Sequence, residues 1–333
     1  MSLHDRRLAR SGGGGAGAGL LGPGIARAVW ILQRRSAGRD PLANPNTARL
    51  AESLLARGIP AAPVDPEGVD QTRGPAALRI AGRPVAPPCA IIGRSGANTG
   101  ARARALSAML EATGTLAFPS ARALAVAGDK LATGRLLAAS GLPSPDFAEI
   151  GPGTDAHALG AQLGWPLVVK AARGSKGRAV RLVDGPAALA AAMAALLGQG
   201  PLLAQRFLAE SRGRDIRVMV VGGTAIGAMA REVPREVRGP DPYRANIAAG
   251  AHGRAIALAP AIARLAEEAA RAAALDIAGV DLLHAGSGFA VCELNAAPGF
   301  AAFEAVTGID VAGAIAGHIA TRLAARREGA EPC

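Results

Sequence analysis

The sequence predicts a mixed fold: an α/β unit with a parallel sheet, followed by α+β units built on antiparallel hairpins. Three observations carry this. Short apolar runs alternate with helical patterns over residues 28–114, as in strands joined by crossover helices. Beyond residue 165 the strands come in pairs around glycine turns, the mark of hairpins. The chain has 333 residues, half of them hydrophobic, which is enough for two or three cores of ordinary size.

Residues 1–26 read as a flexible Gly-rich tail. A basic start runs into Ser-Gly-Gly-Gly-Gly-Ala-Gly-Ala-Gly, without the apolar stretch of a signal peptide. Residues 27–117 form the N-terminal α/β domain. Its expected elements are a strand at Ala28–Leu32, a helix at Asn46–Gly58, a strand at Ala61–Val64, a hairpin around Ala81-Gly82, a strand at Cys89–Arg94 and a helix at Ala101–Gly114. Residues 118–207 form a central unit. A helix from Asp129 to Ser140 is closed by Gly141 to Pro145. Strands at Leu167–Lys170 and Ala179–Val183 flank a loop at Arg173–Arg178, and a helix at Pro186–Leu197 precedes a strand at Leu202–Phe207. Residues 208–328 form the last unit. Asp215–Val221 and Ala225–Ala230 pair around Gly222-Gly223. Arg231–Gly253 reads as a long, charged, Pro-containing loop over a site. An amphipathic helix at Pro260–Leu275, strands at Val280–Leu283 and Phe289–Leu294, and a closing helix at Val311–Arg327 complete the chain.

Bulk properties exclude several classes. No apolar run approaches the roughly 20 residues that span a bilayer, so no membrane partner is expected. Cys89, Cys292 and Cys333 are far apart and odd in number, which fits neither a zinc site nor a disulfide framework and suggests a reducing cytoplasm. A net charge of +11 is read either as solvated arginine-rich faces or as attraction to anions such as nucleotides. With 3% aromatics and no recognised module, direct nucleic-acid binding is the weaker reading.

Four groups of residues carry chemistry. Asp281 sits on one strand, and Glu293 and Asn295 on the next. Residues two apart on a strand share a face, so a hairpin can gather two carboxylates and an amide oxygen into a hard-oxygen site for Mg2+ or Mn2+. Ordinary strand-end polar residues give the same spacing. Gly174, Ser175, Lys176 and Gly177 follow Lys170 between two strands, and such a loop can bring backbone N–H groups to phosphate oxygens. A simple hairpin turn also fits, and neither the Walker nor the Rossmann pattern does. Lys130 and Lys170 stand out in an arginine-dominated chain. Arg217, Arg231 and Arg244, with Asn246, form a basic set able to grip carboxylate or phosphate.

The order of these parts is more specific than any one of them. A lysine, a second lysine before a glycine hairpin, Gln205-Arg206-Phe207-Leu208, Asp215-Ile216-Arg217, Arg244-Ala245-Asn246, Asp281, and Glu293-Leu294-Asn295-Ala296-Ala297-Pro298-Gly299 together resemble the ATP-grasp superfamily. Thr307–Gly313 and Pro88–Gly96 are similar to its RimK-like branch of ATP-dependent glutamate ligases. The resemblance runs from about Ala28 to Ala320 and implies an ATP-grasp fold with an N-terminal pre-ATP-grasp domain and ATP bound between the last two units. It implies that Lys130 and Lys170 touch the nucleotide phosphates and that Gly174–Gly177 is a flap over them. By the same resemblance, Gln205, Arg206, Phe207 and Leu208 lie at the adenine, Asp215 contacts ATP at the ribose, and Arg244, Ala245 and Asn246 lie near the phosphates and acceptor. Asp281, Glu293 and Asn295 would ligate two Mg2+ or Mn2+ ions. Arg217, Arg231 and Arg244 would hold substrate carboxylates and the developing oxyanion.

The expected activity is ATP-dependent ligation: a carboxylate is activated as an acyl phosphate and joined to an amino acid, with glutamate as one candidate. Partners would be that amino acid and a carboxylate-bearing protein, peptide or small molecule, and a homo-oligomer fits the branch. Ligation in amino-acid, cofactor or modified-peptide biosynthesis, or a catalytically silent nucleotide-binding protein, are the competing readings. The sequence departs from the family at several points. Arg206 replaces an acidic residue, Ala245 and Ala297 replace serines, Ala179 replaces a glycine, and residues 234–242 form a longer, Pro-rich loop.

Overall fold

The computed structural model describes residues 28–34, 41–96, 99–174, 180–196, 198–234 and 252–329. The expected tail, the loop residues Ser175, Lys176, Gly177 and Ala179, and the segment holding Arg244, Ala245 and Asn246 lie outside the described residues.

The first unit contains β1 (Val29–Leu32), α1 (Pro45–Leu55), β2 (Ala61–Val64), the short strands β3 (Val69–Asp70), β4 (Arg79–Ile80) and β5 (Arg83–Pro84), then β6 (Ala90–Gly93), α2 (Ala101–Ala112) and β7 (Leu116–Phe118). Its main sheet has the order β2-β1-β6-β7 and is parallel throughout. All four residues of β1 are buried, as expected where both faces of a parallel strand are covered. The chain leaves β1 for β2 on one side and returns across it to β6, so the winding reverses between β1 and β6.

The second unit contains α3 (Ala121–Ala127), α4 (Lys130–Ala139), β8 (Phe147–Ile150), α5 (Ala156–Leu163), β9 (Leu167–Ala171), β10 (Val180–Val183), α6 (Pro186–Ala195) and β11 (Leu202–Arg206). Its antiparallel sheet, β10-β9-β11-β8, buries Leu167, Val169, Leu202 and Ala204 against Leu159, Leu163, Leu189 and Leu196.

The third unit contains β12 (Arg214–Val221), β13 (Thr224–Glu232), β14 (His252–Ile256), α7 (Pro260–Ala272), β15 (Ile277–Ala285), β16 (Gly288–Asn295), α8 (Ala301–Thr307) and α9 (Val311–Gly329). Its antiparallel sheet runs β14-β13-β12-β15-β16. The twofold alternation of β12 explains its packing. Ile216, Val218 and Val220 face Ile262, Ala266, Ala269 and Ala270. Met219 and Val221 join Phe300, Phe303, Val311, Ile315 and Ile319, which also pack on Val29, Ile31, Leu50 and Leu54 of the first unit. The first and third units therefore share one core. On that second face of β12 the apolar residues give way to Arg217 and Asp215, and this is where the site begins.

Asn46 fixes the junction from the first unit, because its Oδ1 accepts from Phe300 N at 2.6 Å and Ala301 N at 2.8 Å. These are otherwise unpaired donors at the start of α8. Among the described residues no single helix is long and apolar enough to cross a membrane.

Several elements differ from expectation. β3, β7, α3, β8, α5, β14 and α8 have no counterpart in the sequence reading. The expected loop at Arg231–Gly253 begins inside β13 and ends inside β14, because Arg231 pairs with Gly253 and Glu232 with His252. His252-Gly253-Arg254-Ala255-Ile256 lacks apolar alternation because β14 is an edge strand with no buried residue.

Candidate active site

Cross-strand register assembles the charged part of the site. Asp215 lies opposite Arg231, Arg217 opposite Asp281, and Asp281 opposite Glu293. One row of side chains thus crosses β13, β12, β15 and β16 on a single face. Arg231 grips Asp215 through Nε to Oδ1 at 2.6 Å and Nη2 to Oδ2 at 2.7 Å. Its Nη2 also reaches Asp281 Oδ1 at 3.0 Å. Arg217 forks onto Asp281 through Nε to Oδ1 and through Nη2 to Oδ2, the latter at 2.8 Å. Two carboxylates and two guanidiniums form a buried, charge-balanced quartet.

Gly279 makes this possible. A Cβ there would stand 2.8 Å from Pro298 Cβ and 3.2 Å from Arg217 Cδ. The missing side chain lets Pro298 close over β15 and leaves room for the arginine beside it.

Glu293 extends the row toward the second unit. The pairing passes from Asp281↔Glu293 to Leu282↔Val291, which leaves Cys292 as the extra residue of a bulge. A bulge re-aims side chains, and here Cys292 and Glu293 both line one cleft. The cleft, about 440 Å3, is also bordered by Lys130, Lys170, Gln205 and Phe147. Lys130 starts α4, whose N-cap Asp129 accepts from Leu131 N and Ala132 N. Lys130 Nζ donates to Gly174 O at 3.0 Å and stands 3.9 Å from Glu293 Oε1. Lys170, on β9, donates to Gln205 Oε1 at 2.6 Å and lies 3.9 Å from Cys292 Sγ. Three elements, α4, β9 and β16, therefore bring two ammonium groups to the cleft that Glu293 lines.

Electrostatics follow from this packing. Burial, then the charge of Asp281, pushes Asp215 up to about 6 despite its pairing with Arg231. Burial also acts upward on Asp281, but the guanidiniums of Arg217 and Arg231 outweigh it and hold that carboxyl below its usual range. Burial raises the Cys292 thiol, so it is a poor nucleophile.

The residues expected to ligate a metal are close together. Asp281 and Glu293 are opposite each other, and Asn295 Nδ2 donates to Gly279 O at 3.1 Å and to Asp281 Oδ2 at 3.4 Å. Two carboxylates and an amide on adjacent strands are a hard-oxygen set that suits Mg2+. Asp281 has about four lone-pair sites. Arg217 and Arg231 use three and Asn295 Nδ2 the fourth, so direct ligation by Asp281 requires one of these bonds to yield. Among the described residues no three His, Cys, Asp or Glu side chains cluster as a metal site, and the oxygen set depends on Asn295.

Two expectations need adjusting. Asp215, expected at the ribose, is turned onto Arg231 by its register. Arg217 and Arg231, expected to be free for substrate, are committed to carboxylates. Near the expected adenine, Arg206 N–H donates to Asp146 O at 2.8 Å and Phe207 N–H to Pro166 O at 3.3 Å, so both donors are engaged. Gln205 is buried and orients Lys170. The Arg206 side chain meets Asp146 at 3.1 Å on the surface, and Leu208 O accepts from Ser211 N. The sequence reading gave no role to Cys292, Phe147 or Gly134. The bulge leaves no sequence signal. Gly134 is explained by the Phe147 ring, whose nearest atom would lie 2.5 Å from an added Cβ.

With this geometry in hand, similarity to known proteins is informative. Residues 127–319 match the RimK-like ATP-grasp domain. A probable alpha-L-glutamate ligase of Sodalis glossinidius is 33% identical over 283 residues, covering 84% of this chain and 94% of the relative. A ribosomal protein bS6–L-glutamate ligase of Shigella boydii is 33% identical over 269 residues, covering 80% and 88%. Among solved structures, the ATP-grasp ligase PsnB, complexed with a phosphomimetic variant of its minimal precursor, Mg and ADP, superposes with a TM-score of 0.65. Its identity is 21%, with 90% of this chain and 99% of that chain covered. The D-alanine–D-alanine ligase of Bacillus anthracis gives 0.66 at 16% identity, covering 92% and 100%. The architecture is that of ATP-grasp ligases.

Proposed function

The chain belongs to the RimK-like ATP-grasp family and is an ATP-dependent carboxylate–amine ligase; from that premise we propose that it joins a free amino acid, glutamate foremost, to a carboxylate of a peptide or protein. The observation that carries this reading is that Lys130, Lys170 and Glu293 line one cleft, with Asp281 opposite Glu293 on the neighbouring strand and Asn295 bonded to Asp281. The relatives named as glutamate ligases support the amino acid, and the one named for ribosomal protein bS6 supports a protein acceptor.

In the proposed reaction a carboxylate oxygen of the acceptor attacks the γ-phosphorus of ATP and ADP leaves. The amine nitrogen then attacks the acyl carbon, loses a proton, and expels phosphate. Lys170, held by Gln205, and Lys130, held by the Gly174 carbonyl, supply fixed positive charge to phosphate oxygens. Glu293, Asn295 and Asp281 would hold Mg2+, one ion or two. When bound, it neutralises charge on the phosphate oxygens. Arg217 and Arg231 keep Asp281 ionised and in place. No nucleophilic side chain is required, because positioning and charge neutralisation supply the catalysis.

The test is phosphate release with ATP, Mg2+, peptide acceptors and a panel of amino acids. The reading predicts release that depends on both acceptor and amino acid, and its loss in Lys170→Met. Release that needs neither would refute it.

A further inference from the structure

Arg94 stands apart from the other arginines near the site. Arg217 and Arg231 spend their guanidiniums on Asp215 and Asp281. Arg94 follows β6 at its carboxyl end, and its N–H donates to Leu32 O at 3.0 Å, at the end of β1. It therefore sits where the winding of the parallel sheet reverses, the position at which open α/β sheets bind ligands.

The residue as a whole is half-buried, but its guanidinium is turned inward. Nη2 donates to Pro298 O at 2.8 Å, the group lies 5.3 Å from the Phe300 ring centre, and Nε is buried without a hydrogen-bond partner. Burial alone lowers its pKa, to about 10, and no acidic neighbour raises it. It thus stays charged at neutral pH. A desolvated cation with an idle donor is costly unless an anion completes it.

Space for that anion exists. A crevice beside it is lined by Arg94, Ser95, Gly96, Thr99 and Ser107, polar groups suited to a small anion. It is also close to the chemistry. Pro298 is three residues beyond Asn295, so the two lie within roughly 10 Å, and a Cβ on Gly96 would be 3.6 Å from Ala297 Cβ.

In the ligation proposed above the amino acid that supplies the amine keeps its α-carboxylate, the group fixed nearest to the reacting nitrogen. We propose that Arg94 binds this α-carboxylate, in the crevice at the carboxyl ends of β1 and β6, and so presents the amine toward the Asn295–Pro298 turn. This assignment rests on the amino-acid ligation reading.

The test separates the two. Calorimetric titration with ADP and Mg2+ present measures binding of L-glutamate and of its α-carboxamide. Wild type should prefer the acid by about 10- to 100-fold, the value of a charge-assisted hydrogen bond. Arg94→Gln should bring the ratio close to one, Arg94→Lys should retain part of it, and the affinity for ADP should stay unchanged in both. A merely structural Arg94 would not alter the acid-to-amide ratio. The wild-type comparison needs no variant to fold. Equal wild-type affinities, an unchanged ratio in Arg94→Gln, or no binding of glutamate would overturn the assignment. The parallel phosphate-release assay fails on its own if the ligation reading is wrong.

Discussion

Replacing Asp281 by Asn tests the buried quartet directly. The side chains of Asp281 and Arg231 are each 9% exposed, and that of Arg217 is 13%. Two acids and two arginines balance, and the substitution leaves one uncompensated positive charge. Breaking a buried ion pair typically costs about 3–5 kcal/mol. Arg231 keeps its fork on Asp215, so the lower end, about 3 kcal/mol, applies here. At about 2–4 °C per kcal/mol for units of roughly 150–250 residues, the melting temperature should fall by roughly 6–12 °C. Calorimetry without ATP or metal reads this separately from catalysis. The loss should persist in 0.5 M salt, because buried pairs are weakly screened. Pairing it with Arg217→Met should recover part of the loss, since removing both partners costs less than removing one. A shift under about 1 °C, or a double variant as unstable as the sum of the singles, would refute the charge-balanced quartet.

Three further outcomes follow from the same geometry. Asp215→Asn should remove a pH dependence. The folded carboxyl titrates near 6 against an ordinary 3.8, so its contribution is fully present below pH 3.8 and is lost as pH rises through 6. The stability of wild type minus that of the variant should therefore fall by up to about 3 kcal/mol across that window, and a flat difference between pH 4 and 7 would contradict the shift. Gln205→Leu should weaken ATP binding about tenfold by freeing Lys170, while an unchanged dissociation constant would show that the lysine needs no partner. Asn46→Ala should cost about 1 kcal/mol by uncapping α8, and Asn46→Asp should keep most of it, as thermal melts will show.

Much of the site was legible because its parts are local. Lys170 stands near the end of an apolar strand, Glu293 and Asn295 are two residues apart on another, and Lys130 follows a capping Asp129. The order of these pieces carried the family resemblance. What was not legible depends on register. Nothing near Asp215 in the sequence shows that Arg231 lies opposite it, or that Arg217 lies opposite Asp281. Reading those residues as free contacts for ATP and substrate missed a pairing that only the folded sheet creates. The bulge at Cys292 is equally silent, because it arises from how β15 and β16 slip past each other. Short elements such as β8 and β14 were missed because their stability comes from neighbouring strands rather than from their own pattern. Arg94 was visible as part of a motif, but its idle Nε became evident only once the strand ends came together.

Mass spectrometry of the reaction of ATP, Mg2+, mixed amino acids and a peptide acceptor tests the central claim most directly. Ligation through an acyl phosphate predicts acceptor carrying an amino acid in amide linkage, with one ADP and one phosphate for each bond formed. AMP with pyrophosphate, or ADP formed while the acceptor mass stays unchanged, would contradict it.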